Sequence, residues 1–118
     1  MKYKDILARQ AAWSRATFGP GERRNGVIEH LQKEIEEFKA DGSIEEACDI
    51  VVLAHDLLLR RIAEEINVSL STKFNFDDVG GFAAEAVRNK LLKNEKRVWP
   101  NWRDFSEDQA IEHDRSHD

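Results

Sequence analysis

Apolar residues recur at three- and four-residue spacing along most of the chain, and Gly, Pro and Asp cut that pattern into helical segments. A first helix is expected over residues 3 to 17, with Ile6, Leu7, Ala11 and Trp13 on a broad apolar face and Lys2, Lys4, Asp5 and Arg9 suited to solvent. Phe18-Gly19-Pro20-Gly21 breaks it. Asn25 is placed to cap a second helix, whose core stripe is Val27, Ile28, Leu31, Ile35 and Phe38. Asp41-Gly42 ends that helix and Ser43 caps a third, with Ser43 and Glu46 at the spacing of a capping box. The third helix runs to about Asn67 and is apolar nearly all round, from Ile44 to Ile66. A helix of that kind is buried on several sides, which points to a central helix covered also by another subunit. Cys48, within it, reads as a small buried hydrophobe.

Residues 68 to 76 alternate weakly through Val68, Leu70, Phe74 and Phe76, the pattern of an extended loop or a short strand. Asp77 or Asp78 caps a fourth helix that turns Phe82, Ala83, Ala86, Val87, Leu91 and Leu92 inward, and Gly80-Gly81 weakens its start. VWPNWRDF after Arg97 reads as a loop, because Pro100 disfavours helix before it. Trp99 and Trp102 in that loop are expected to complete a core, or to offer a base a stacking surface. Ser106 to Gln109 has capping-box spacing for a last short helix, and the polar end EHDRSHD frays. The expected fold is an all-α bundle of four to five helices, one domain over residues 1–118, forming a homo-oligomer (dimer or tetramer).

Charge and cysteine usage narrow the function. The 118 residues carry a net charge of −5, which disfavours a general nucleic-acid binder. A phosphate-bearing substrate stays open, since bound cations reverse the local sign. One cysteine excludes an intrachain disulfide and fits a reducing cytoplasm. The richest apolar run, IVVLAHDLLL, is too short and too polar to span a bilayer, and MKYKDILARQ lacks the apolar core of a signal peptide.

The chemistry concentrates between Glu34 and Asp49. Glu34 with Glu37 and Glu46 with Asp49 are two acid pairs at i, i+3, one on each side of the turn at Gly42, with Glu45 as the alternative to Glu46. Like charges at that spacing repel, so two such pairs on consecutive helices point to a cation. Hard divalent ions such as Mg²⁺ take oxygen ligands, keep several waters and leave room for phosphate. The bland alternative is solvated acids, partly neutralised by Lys33 and Lys39. Asp56, two turns beyond Asp49 among leucines, needs a partner, and Arg60 at i+4 supplies one. His55 reads as a satisfied helix residue. Lys90, Asn94 and Arg97 share one helix face, with Lys93 beside it. They form either a phosphate clamp or cations drawn to a helix C-terminus.

These blocks in this order, AAWSRATFGPGERRNGVIEHLQKEIEEF, EEACDIVVLAHD and KNEKRVWPNWRDF with the late IEH, resemble the MazG-like all-α nucleotide pyrophosphohydrolases. The closer likeness is to their dATP/dGTP diphosphohydrolase (MazZ-type) branch in phages and bacteria, and it covers most of the chain. The resemblance implies Mg²⁺, with Mn²⁺ as a substitute, held by Glu34, Glu37, Glu46 and Asp49; general-base chemistry then lets Glu37 or Glu34 also accept the proton of the attacking water. It implies contacts to phosphate and sugar from Lys90 or Lys93 and Asn94, and places Trp13, Phe18 and His30 around a nucleotide pocket. The products it implies are a nucleoside monophosphate and pyrophosphate. The chain departs from the family's common EE-x-x-E in having Lys33 before Glu34.

Overall fold

The structure, a computed structural model, describes the backbone of residues 1–70 and 75–117 and the side chains of 1–66 and 75–116. Four α-helices follow in order: α1 (Tyr3–Phe18), α2 (Arg24–Asp41), α3 (Ile44–Leu70) and α4 (Phe76–Lys96). Two short 3₁₀ turns follow at Trp102–Asp104 and Arg115–His117. The fold is all-α, with no strand among the described residues. The chain forms two compact units, Met1–Glu85 and Ala86–Asp118.

In the first unit α3 packs against both α1 and α2. The core consists of Leu7 and Ala11 from α1, Leu59 and Ile66 from α3, and Val79 and Ala83 from α4. Leu7, Leu59 and Val79 are fully enclosed. Each contributes roughly 1.5–3 kcal/mol through burial. Gly80 lets the backbones of α4 and α1 meet. A Cβ there would stand 2.5 Å from the Lys4 carbonyl oxygen and 2.7 Å from the Ala8 amide nitrogen. Gly81, one residue on, faces open space.

The helix ends follow local chemistry. The α2–α3 turn uses Gly42 at φ 69°, a left-handed conformation that suits glycine, and its N–H donates to the Phe38 carbonyl at 2.7 Å. The Ser43 hydroxyl accepts from the Glu46 N–H at 3.1 Å, as the capping spacing predicts. Other expectations are corrected. The cap of α2 is Arg23 at φ 46°, with no side-chain bond, and Asn25 is already inside the helix. Asn75 caps α4, its side-chain oxygen accepting from Asp77 N–H at 2.9 Å, so Asp77 and Asp78 belong to the first turn. Helix α3 continues to Leu70, so Val68 and Leu70 are helical, while Phe74 lies outside the described residues. Ser106 and Gln109 close a turn rather than open a helix.

Burial is also more selective than the periodicity suggests. Of the α2 stripe only Val27 is fully buried, while Ile35 and Phe38 remain more than a third exposed. On α4 Ala83 turns inward, but Phe82, Val87, Leu91 and Leu92 do not. Ile6 and Trp13 on α1 are about half exposed. Cys48 is exposed, not buried. Helix α3 keeps Ile44, Val51 and Val52 exposed, so in the single chain it is not covered all round.

In the second unit the Trp99 indole N–H donates to the Asn94 carbonyl at 2.7 Å. The Trp99 ring meets His113 edge-on at 5.7 Å. The Asp114 N–H donates to the Val98 carbonyl at 2.7 Å, tying the chain's end to the loop after α4. Trp99 and Trp102 are nonetheless 44% and 65% exposed, so neither completes a core in this chain.

Candidate active site

The two-residue turn at Gly42-Ser43 folds α3 back along α2, and that brings the acid pairs together. One carboxylate oxygen each from Glu34, Glu46 and Asp49 lies within 4.8 Å of the others. Glu37, one turn beyond Glu34 on α2, stands outside this trio, but its charge repels both Glu34 and Glu46. Glu34 Oε2 and Glu46 Oε2 are buried and have no hydrogen-bond partner. Buried carboxylate oxygens are ordinarily paired, so these two fit the role of ligands to a cation or carriers of a proton.

The lysines do not neutralise the cluster. Lys33 reaches Glu29 at 4.0 Å and Lys39 reaches Glu36 at 3.2 Å, both acids outside it. Among the described residues no lysine or arginine pairs with Glu34, Glu37, Glu46 or Asp49. Only His30 approaches, its Nε2 lying 3.4 Å from Glu34 Oε1.

Crowding alters the acids' proton affinity. Burial raises the Glu34 carboxyl above its usual range, with further increments from Glu37 and Asp49. Glu46 is pushed up to about 7, by burial first and then by Glu37, Glu34 and Asp49. A carboxyl whose folded value exceeds its unfolded 4.5 binds more protons folded than unfolded between those values. Its contribution to stability is therefore fully present below about 4.5 and is lost as pH rises through about 7. Thermal melts in EDTA across this window should show the wild type losing stability relative to Glu46→Gln as pH rises. Parallel curves for the two proteins would refute the raised value.

Beside the acids is a cleft of about 170 Å³. Its wall includes Trp13 and Phe18 from α1, His30 and Glu34 from α2, and Asp49 and Asp56 from α3. Trp13 and Phe18 meet edge to face at 5.6 Å and 90°. The side chains named for a nucleotide pocket and two of the named acids therefore share one opening. Gln10, Ser14, Val52 and Leu53 line it as well. Sequence reasoning passed over them because polar Gln10 and Ser14 interrupt no pattern, and Val52 and Leu53 look like core.

Asp56 pairs with Arg60, as their spacing predicts, at 3.1 Å and deeply buried. Ser14 donates to the other Asp56 oxygen at 2.8 Å. His55 is satisfied by the Tyr3 hydroxyl at 2.8 Å. Lys90, Lys93, Asn94 and Arg97 belong to the second unit. There Arg97 donates to the Asn94 side-chain oxygen at 3.0 Å, while its own Nε is buried without a partner. Lys90 and Lys93 are exposed. No helix among the described residues is long and apolar enough to cross a membrane.

Comparison with curated proteins and with solved structures gives no significant match. The family model described as dATP/dGTP pyrophosphohydrolase matches residues 6–118, a span that takes in the acid cluster, the aromatic cleft and the basic end of α4. This chain is an enzyme of the dATP/dGTP pyrophosphohydrolase family.

Proposed function

We propose that the protein hydrolyses dATP and dGTP to the deoxynucleoside monophosphates and pyrophosphate, using Mg²⁺ with Mn²⁺ as a competent substitute. The observation that carries the metal requirement is the pair of buried, partnerless oxygens on Glu34 and Glu46, in a cluster that neither Lys33 nor Lys39 neutralises. An all-oxygen, carboxylate donor set is the chemistry that hard divalent cations select. Glu34, Glu46 and Asp49 would hold the ion, and Glu37 would join them or take the proton of the attacking water. A bound divalent ion offsets phosphate charge and lowers the pKa of bound water.

Within the cleft Trp13 and Phe18 offer the base an aromatic wall, and His30 lines it beside Glu34, 3.4 Å from that carboxylate. Lys90, Lys93, Asn94 and Arg97 supply donors for phosphate and sugar, Lys as point charges and Arg as a fork. The family match running through both units supports their acting as one catalytic domain. A homo-oligomer in the cytoplasm completes the proposal. Ile44 and Val51, exposed along α3, support self-association, and a monomer by light scattering would remove it.

The test is pyrophosphate release from eight nucleoside triphosphates, with Mg²⁺ and with EDTA. Turnover of dATP and dGTP that EDTA abolishes is expected, with little from pyrimidines. Activity spread over the other bases would keep the site but reassign the role to housecleaning of noncanonical nucleotides. Silence on every nucleotide would leave a non-catalytic helical module.

A further inference from the structure

We infer that Arg60 is a positioning residue for the nucleobase, acting through the turn that directly follows Phe18; this rests on the functional reading above. Arg60 is 8% exposed and spends its donors on groups far apart in sequence. Its Nε–H donates to Asp56 Oδ2 at 3.1 Å. One terminal nitrogen donates to the carbonyls of Gly19 and Gly21 at 3.0 and 2.8 Å. The other donates to the Ser14 hydroxyl at 2.9 Å and the Ser14 carbonyl at 3.3 Å. A planar fork with five donors can bridge that many acceptors, and no other side chain can.

Besides Arg60, the turn is held by the Gly19 N–H, which donates to the Arg15 carbonyl at 3.0 Å, and by Arg23, whose guanidinium lies over the Phe18 ring at 5.5 Å. Gly19 and Gly21 lie at φ 93° and 99°, and neither Cα has a neighbour within van der Waals reach of a Cβ position. Phe18 directly precedes the turn and meets Trp13 edge to face on the wall of the cleft. Arg60 is not part of that wall. A buried ion pair is, for stability alone, commonly replaceable by apolar residues of similar size. What the guanidinium adds here is direction: two carbonyls held in place, and through them the aromatic corner.

Arg60→Lys keeps the charge opposite Asp56 but loses the fork. It should raise KM for dATP about tenfold, the size of one weakened base–aromatic contact, with kcat held within about threefold. Discrimination between purines and pyrimidines should fall with it. Phe18→Ala should raise KM similarly, and the double variant should be no worse than the poorer single, because both remove the same contact. Additive effects, or an unchanged KM beside a lowered Tm, would make Arg60 structural only and overturn the inference. If Arg60→Lys fails to fold, Ser14→Ala, which removes one hydroxyl and leaves the ion pair, carries the same cycle with Phe18→Ala. Wild type without metal-dependent purine turnover would overturn the functional reading and this inference with it. Turnover with an additive cycle would overturn the inference alone.

Discussion

Glu46→Gln should lower turnover by about a hundredfold or more while raising the melting temperature of the metal-free protein. The two effects have opposite signs for one reason. Glu46 is held among Glu34, Glu37 and Asp49 with one oxygen buried and unpartnered. Without a cation that arrangement is repulsive, and an amide of the same shape relieves it. With a cation the same oxygen is a ligand, and a neutral amide binds a hard ion far less well. The Ser43 cap is untouched, because it binds the Glu46 backbone N–H rather than the side chain. The check is kcat/KM with saturating Mg²⁺, set beside thermal melts in EDTA. A lower melting temperature together with full activity would make Glu46 a structural residue and dissolve the metal site.

Gly80→Ala should destabilise the protein by about 3 kcal/mol or more, whereas Gly81→Ala should stabilise it by about 0.5–1 kcal/mol. Both glycines are in α4, where alanine is the better helix former by roughly 1 kcal/mol. At Gly81 nothing opposes that gain. At Gly80 the added methyl would stand 2.5 Å from the Lys4 carbonyl and 2.7 Å from the Ala8 nitrogen. Those are backbone atoms of α1 and cannot swing aside as a flexible side chain would. Either α1 and α4 separate, opening the core at Leu7 and Val79, or the clash persists. Chemical denaturation of the two variants side by side decides the matter. Equal stability at both positions would mean that the helices do not approach as closely as described.

What could be read from the sequence was mostly what depends on near neighbours. The Asp56–Arg60 pair, the Ser43 cap and the stop at Gly42 each rest on residues within four positions. The meeting of Glu34, Glu46 and Asp49 follows from helical spacing on either side of a short turn. What escaped depends on distant chain. Gly80 looked like a weak helix start because its reason lies on α1, more than seventy residues earlier. Arg60 looked like a simple i+4 partner because its other acceptors are about forty residues away. Asn75 displaced two aspartates as the cap of α4, a choice that propensity alone does not make. Burial was overread for the same reason: apolar periodicity names a face, while coverage requires a neighbour, and Cys48, Ile35 and Phe38 lack one in the single chain.

Helix α3 carries Asp49 near its start and Arg60 three turns later, without interruption. At 1.5 Å per residue the two are about 16 Å apart along a rigid rod. In the proposed reading one end of that rod serves the phosphates and the other fixes the surface for the base. The helix then works as a ruler, and nucleotide length is measured against it. A residue inserted between Asp49 and Asp56 would leave every side chain in place chemically. It would still turn the far end by about 100°, so that the two marks on the ruler no longer faced the same molecule.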